Sequence, residues 1–532
     1  MTPHPLPDSA GIRQRLAMAL SAIAMLTSVG GCVVGPNYER PDVDLPERFV
    51  EDGDVPDPSN AVSDEELLRW WERFDDPLLT AFIAEAEAGN LDLQQAIASI
   101  EQYRATFGIA NSKLYPSLGA DASYSYVQMN EALLGGAALP TAFNAWSYGL
   151  NLASWEIDLF GKIRRSIEFA QGEYQASVEE WRNTLITIRS EVANAYIAVR
   201  VLQARRKILS DTIELLSKQL DIVKARIAAR TVTGLDLAEA EASLAQIEAQ
   251  LPPLDGQIAA RTSALSVLLG QYPGEVARRM AEPKPIPQPE VTLTLGVPAQ
   301  LLLRRPDVRA AERRMAAEVA RIGVAVAGFY PEISISGNVS IFATDFSGLF
   351  DLSNLTYRVG PMINWNFFNA GRTESQVRVQ EAVAKQAEIQ YRATVLEAVS
   401  QVETAASNVG YARTTLDRLD SAVTDGLRGV GLAERQYAAG TIDLSRLIQY
   451  QQTVLDLQDS QVQAEGFFAQ NLVELYRSLG GGWEPDPLPA PADEAYPKSD
   501  PDGEAAPQTP STGPSSPEPP AATAVAAAEH AS

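Results

Sequence analysis

One stretch of this sequence occurs twice, and that duplication limits what the chain can fold into. The segment from Trp155 to Gly270 returns from Trp365 to Gly480, 210 residues downstream throughout. Arg182 and Thr184 come back as Arg392 and Thr394. Ala228-Ala229-Arg230-Thr231-Val232 comes back as Ala438-Ala439-Gly440-Thr441-Ile442, and Leu269-Gly270 as Leu479-Gly480. Most other positions differ, so the repeat is legible by spacing rather than identity. No proline lies between Pro140 and Pro252, or between Pro361 and Pro485. Residues 162–229, rich in Ala, Leu, Ile, Glu, Arg and Gln, therefore read as one helix, roughly 100 Å long at ~1.5 Å per residue. A helix of that length holds only beside other long helices.

The second repeat predicts the same helix over 372–439. Shorter returning helices are expected over 235–270 and 444–479, the first kinked at Pro252-Pro253. Preceding helices are expected at about 77–88, 91–113 and 307–328. Stacked end to end, 91–113 and 235–270 match the length of the long helix, as do 307–328 and 444–479. Each chain then supplies four rods.

Between the helices the period changes to two. Leu118, Ala120, Ala122, Tyr124 and Tyr126 alternate with small or polar residues, as do Trp146, Tyr148, Leu150 and Leu152. This is a hairpin at about 117–157. A second spans about 331–367, with Ile333, Ile335, Val339 and Ile341, then Leu355, Tyr357, Val359, Ile363 and Trp365. Tyr115-Pro116 and Tyr330-Pro331 introduce the hairpins 215 residues apart, so the second is five residues shorter. Strands of 10–13 residues fit either a tilted membrane strand or a soluble sheet with one buried face. Four strands cannot close a membrane barrel, and an open edge cannot sit in lipid. If these strands span a membrane, several chains share one barrel.

The net charge of −25 argues against a nucleic-acid partner. The two histidines, His4 and His530, lie at the ends, and Cys32 is the one cysteine. Zinc sites and histidine acid–base catalysis have no residues to use, and no cofactor is implied. Residues 1–31 read as an export signal: Arg13 and Arg15, an apolar run from Leu16 to Val29, then Gly30-Gly31. Val29-Gly30-Gly31-Cys32 has the form of a lipobox, which makes Cys32 a lipid-attachment site; an ordinary signal peptide with an incidental cysteine is the alternative. The remaining divisions are an extended segment at 32–76, a first repeat at 77–280, a Pro-rich crossover at 281–300 and a second repeat at 301–483. The acidic Pro/Ala-rich tail at 484–532 is expected to be disordered.

Four motifs carry a family resemblance. They are Cys32-Val33-Val34-Gly35-Pro36-Asn37-Tyr38-Glu39-Arg40-Pro41; Trp71-Glu72-Arg73-Phe74 with Asp76-Pro77-Leu78; Leu302-Leu303-Arg304-Arg305-Pro306-Asp307-Val308-Arg309-Ala310-Ala311-Glu312; and Leu475-Tyr476-Arg477-Ser478-Leu479-Gly480-Gly481-Gly482-Trp483. In this order, on a duplication, they resemble the TolC-like outer-membrane factors, in the OprM/NodT-like lipoprotein branch. The resemblance implies a mainly α fold with β. A homotrimer would form a 12-stranded outer-membrane β-barrel, four strands per chain, continued by a long periplasmic α-helical barrel. It implies a passive exit channel for drugs or other small toxic molecules, with a periplasmic adaptor and an inner-membrane pump of the resistance–nodulation–division type as partners. Two other readings compete: a periplasm-spanning structural coiled-coil lipoprotein that transports nothing, and a carboxylate-based envelope hydrolase.

The periplasmic tips are the candidate gate. Thr233 and Asp443 suit helix N-caps, and Thr233 with Asp236 has the form of a capping box. Asp236 also matches a family tip acid, and its repeat partner is Arg446, so the two are expected to pair between neighbouring repeats near Tyr437. Two departures bear on this. The family's tip glycine is Gly440 in the second repeat but Arg230 in the first, where a different turn shape is expected. Gln449 and Ser445 stand where the branch often has Asp and Leu at the constriction.

Overall fold

A computed structural model describes residues 32–42, 67–128, 142–289 and 299–483. The export signal, most of the extended segment, part of the crossover and the acidic tail lie outside the described residues. The helices are α1 (Pro77–Gly89), α2 (Leu91–Ser112), α3 (Lys162–Ala228), α4 (Gly234–Glu248), α5 (Leu251–Leu268), α6 (Glu275–Arg279), α7 (Pro306–Ala327), α8 (Arg372–Ala438) and α9 (Leu444–Ser478). The strands are β1 (Leu118–Gln128), β2 (Ala142–Ile157), β3 (Glu332–Ala343) and β4 (Leu355–Asn364).

Both long helices are continuous over 67 residues. The expected kink at Pro252-Pro253 is instead a break: α4 ends at Glu248, and both prolines enter the first turn of α5. That is where their missing N–H groups cost nothing, whereas mid-helix each would displace a carbonyl one turn back. The proline-free α9 runs unbroken for 35 residues.

The rods lie side by side in two tiers. In the tier nearer the sheet, α2 packs on α3, α3 on α7 and α7 on α8. In the tier nearer the tips, α4 and α5 pack on α3, α3 on α9 and α9 on α8. Each tier thus has four rods, with α3 and α8 passing through both. Between the tiers sits the main apolar core, including Trp70, Phe82, Tyr196, Tyr391 and Tyr476.

The strands form one antiparallel sheet in the order β1-β2-β3-β4, so the hairpins of the two repeats join at β2 and β3. The register keeps one face apolar across all four strands: Ala120, Leu150, Val339 and Tyr357 form one row, and Ala122, Tyr148, Ile341 and Leu355 the next. The opposite face carries Asp121, Gly149, Ser340 and Thr356, then Gly119, Asn151, Asn338 and Arg358. Asn151 Nδ2 donates to Asp121 Oδ1 at 2.9 Å, and the Ser123 and Ser147 hydroxyls are 2.8 Å apart. A bulge in β2 between Leu152 and Trp155 accounts for one of the five extra residues of the first hairpin. The other four, Val127, Gln128, Ala142 and Phe143, extend its ladder by two pairs.

The duplication extends to the joints. Trp155 Nε1 donates to Leu114 O at 3.1 Å, and Trp365 Nε1 to Phe329 O at 3.1 Å. Each indole ties a strand end to the close of the helix before its hairpin. At the far end, the last turn of α5 is capped by Asn90 Nδ2 on Leu268 O at 2.8 Å. That of α9 is capped by Arg305 Nη1 on Ser478 O, also at 2.8 Å. These supply donors to orphan helix carbonyls.

Candidate functional site

The tips are built by two copies of one turn. In the first, Arg230 N donates to Ile227 O and Thr231 N to Arg226 O; in the second, Gly440 N donates to Tyr437 O and Thr441 N to Gln436 O. Arg230 adopts φ +58° and Gly440 φ +75°. The different turn shape expected for Arg230 does not occur: the paired hydrogen bonds hold the arginine in the left-handed region. That conformation costs a non-glycine residue roughly 1 kcal/mol. Arg230→Gly is expected to stabilise the first tip by about that amount, seen as slower amide exchange at Thr231 and Val232 with no change at Gly440.

Thr233 and Asp236 make the full capping box at the start of α4. Asp236 Oδ2 accepts from Thr233 N and from Thr233 Oγ1, each at 2.7 Å, and Thr233 Oγ1 accepts from Asp236 N at 3.4 Å. The bonds from Thr233 hold the Asp236 carboxyl below its usual pKa. Asp443 caps α9, its Oδ1 accepting from Arg446 N at 2.9 Å. The structure does not bring the Asp236 and Arg446 side chains together within one chain. Asp236 is committed to its own cap, and Arg446 is exposed with no acidic partner among the described residues. Gln449 is likewise exposed.

What joins the two tips is Ser445 and Tyr437, both named by the sequence, through Glu239 and Arg226, which it did not single out. Ser445 Oγ donates to Glu239 Oε2 at 2.6 Å, from α9 to α4. The Arg226 guanidinium lies over the Tyr437 ring at 4.7 Å. Beneath them Leu220, Val223, Ala240 and Leu444 form a small apolar cluster, against which Tyr437 packs. Local pattern could flag Leu444 as the buried residue after a cap; the cation–ring contact crosses 211 positions and leaves no local trace.

The Cys32 arm docks where sheet meets helices. Cys32 itself is exposed. Val34 N donates to Phe160 O at 3.1 Å, and Val33 packs against Gly161, just past the end of β2. Buried Arg165 then grips the arm: Nε to Val34 O at 3.2 Å, Nη2 to Gly35 O at 3.3 Å and to Asn37 Oδ1 at 2.8 Å. Farther on, Tyr38 Oη donates to Glu312 Oε1 at 3.2 Å and Arg40 pairs with Glu312 Oε2 at 3.2 Å. Burial and the Glu312 carboxylate push the Tyr38 hydroxyl pKa up, keeping it a donor. The first and third motifs are thus two halves of one contact. The fourth closes on the residues just before the second: Trp70 stacks on Tyr476 at 5.7 Å, and Gly482 N donates to Leu67 O at 2.9 Å.

Comparison with known proteins matches this architecture. Residues 82–271 and 297–481 match the family described as outer membrane efflux protein. The chain is 27% identical to nodulation protein T of Rhizobium leguminosarum bv. trifolii over 86% of its length and 96% of that protein's. It is 29% identical to the probable outer membrane lipoprotein SilC of Salmonella typhimurium, over 88% of its length and 99% of that protein's. Among solved structures it is similar to the outer-membrane channel OprN, with a TM-score of 0.76 and 30% identity, covering 85% of this chain and all of that one. With its duplicated rods, its one four-stranded sheet and these matches across both repeats, the chain belongs to the outer membrane efflux protein family.

Proposed function

We infer that the chain is the outer-membrane exit channel of a tripartite efflux system and works as a homotrimer that catalyses no reaction. The observation that carries this reading is the sheet. Its apolar face is continuous over four strands, yet β1 and β4 each leave an edge with no strand partner among the described residues, and an unpaired edge is not tolerated in lipid. Three copies supply twelve strands for a barrel, with the apolar face toward the bilayer and the Asp121–Arg358 face toward the lumen. Twelve rods in each tier continue it as a periplasmic tunnel. A periplasmic adaptor and an inner-membrane pump, of the resistance–nodulation–division type, deliver drugs or other small toxic molecules. Purified protein in a planar bilayer is expected to conduct ions; a protein silent even with its adaptor would favour a structural coiled-coil role instead.

Cys32 is the acylated first residue of the mature chain. Its support is the arm, which presents Cys32 at the level of the sheet's end, where lipid headgroups would lie. Cys32→Ser should abolish metabolic labelling with palmitate while the trimer still assembles; label on that variant would remove the assignment.

The aperture is held shut at the tips by Asp236 and Arg446 of neighbouring copies, with Tyr437 and Gln449 beside them. Arg446 is left exposed within its chain, which supports a partner outside it. Asp236 keeps a carboxylate oxygen for it beyond the cap, and Ser445–Glu239 fixes the tips within each chain. Exposed pairs are worth about 0–1 kcal/mol each, so three bias the aperture while leaving adaptor contacts able to open it. Arg446→Ala and Asp236→Ala are each expected to raise single-channel conductance, with the double variant adding little. Wild-type conductance in both would leave Asp236 a helix cap and nothing more.

A further inference from the structure

The joint between the two repeats is a template for the joint between two copies, and it fixes the strand register there. This inference rests on the trimeric reading above and adds the residue pairing. Within the chain, β2 of the first repeat pairs with β3 of the second. The register runs Leu150↔Val339, Asn151↔Asn338, Leu152↔Gly337, then past the bulge Trp155↔Ile335 and Ile157↔Ile333. The free edges left over are β4 of the second repeat and β1 of the first.

The repeats convert one joint into the other. β3 is β1 displaced by 215 residues. Because Leu118↔Leu152 corresponds to Ile333↔Ile363, β4 is the part of β2 above the bulge displaced by 211. Below the bulge the displacement is 210, as Trp155 and Trp365 show by making the same indole bond. We propose that β4 of one copy pairs with β1 of the next as Val359↔Tyr126, Pro361↔Tyr124, Met362↔Ser123, Ile363↔Ala122, Trp365↔Ala120 and Phe367↔Leu118.

Two independent features agree with it. First, this register is continuous and sets apolar residues against apolar and Met362 against Ser123 on the polar face; a slip of one residue would put the apolar set in the lumen. Second, the rods repeat the argument. In the chain, a Cβ on Gly466 of α9 would lie 2.2 Å from Val201 Cγ2 of α3, so the two helices touch there. Their repeat partners are Gly256 and Tyr411. A Cβ on Gly256 would meet nothing within 4 Å, and Tyr411 is 68% exposed. Each half of that contact waits on the single chain for a second copy to supply the other.

The test is disulfide trapping in outer membranes. Cys32 is the one native cysteine. Met362→Cys with Ser123→Cys, oxidised with copper–phenanthroline, should give a ladder of covalent dimers and trimers, at least tenfold more than Met362→Cys with Ser125→Cys or Asp121→Cys. A bond within one chain is ruled out, since β1 and β4 lie three strand spacings apart, about 14 Å, against the 4.4–6.8 Å between Cα atoms that a disulfide needs. Equal or higher yield from a slipped pair, or no ladder from variants that run as trimers on native gels, overturns the register. A wild-type protein that is not a trimer overturns the reading beneath it. Should the cysteine variants assemble poorly, Gly256→Trp decides: the proposal expects trimer yield to fall at least tenfold, while Gly431→Trp on α8, with equally open space and a repeat equivalent, Asp221, that stays exposed beside the joint already formed, serves as the helix-propensity control. Full trimer yield from Gly256→Trp overturns it.

Discussion

Arg200→Ala should cost about 3–5 kcal/mol and remove most of the assembled protein from the membrane. Arg200 is fully buried on α3, and its guanidinium is spent on the chain around it. Nε and Nη2 donate to Tyr196 Oη at 3.0 and 2.9 Å, and Nη1 to Gln203 Oε1 at 2.8 Å and Glu282 O at 2.9 Å. Tyr196 passes the interaction on to Asp76, the N-cap of α1, and Gln203 Nε2 reaches Met280 O at 2.6 Å. One cation thus holds the start of α1 and the entry to the crossover against the long helix. Removing one member of a buried polar network strands the others without water, which is what makes the loss large. Tyr196→Phe should cost less, about 1–3 kcal/mol, because Asp76 keeps its bonds from Leu78 N and Leu79 N. Thermal melting of the detergent-solubilised protein, with resistance to trypsin as a second measure, separates the two; equal stability of Arg200→Ala and wild type would contradict this account.

Gly270→Ala should be far more damaging than Gly480→Ala, although the two glycines are repeat equivalents. Both have positive φ, +67° and +73°, so each alanine carries a backbone cost of about 1 kcal/mol. The surroundings differ. A Cβ at Gly270 would lie 2.0 Å from Gly89 O, where the ends of α1 and α5 cross, and backbone cannot turn aside. At Gly480 the nearest atom is Arg305 Cγ at 3.0 Å, a side chain able to shift a little. The expected losses are about 3 kcal/mol or more at Gly270 against about 1 at Gly480. Melting of the two variants side by side checks the ranking, and equal losses would mean that the crossing can open.

The features legible in the sequence were those that repeat locally. Residues 162–229 announce a helix by composition and by the absence of proline, and the strands announce themselves by alternation. The Thr233–Asp236 cap is legible because all its partners lie within four residues. Arg200 and Asn90 were not singled out, and Arg305 entered only as one letter of a motif. Their partners lie 82, 178 and 173 positions away at Glu282, Leu268 and Ser478, and each looks locally like any polar residue on a helix or turn. The motifs are an intermediate case. Gly35–Arg40 and Arg305–Glu312 identify the family as strings, yet only the fold shows that Tyr38 and Arg40 close on Glu312. Arg230 runs the other way: its residue type argued for an altered turn, and the hydrogen bonds of the last helical turn overrode that preference.

The two unpaired strand edges have a consequence for the chain before it reaches its destination. A newly exported copy carries two bare rows of backbone donors and acceptors beside an apolar face, the combination that seeds strand-to-strand clumping. Folding ahead of encounter is therefore hazardous, and the safe route is for the sheet to form as copies meet. Stability then depends on how many copies are present at once. On the trimeric reading proposed above, halving synthesis is expected to lower the number of finished channels by more than half, and a defective copy that still folds to spoil the sound copies it joins.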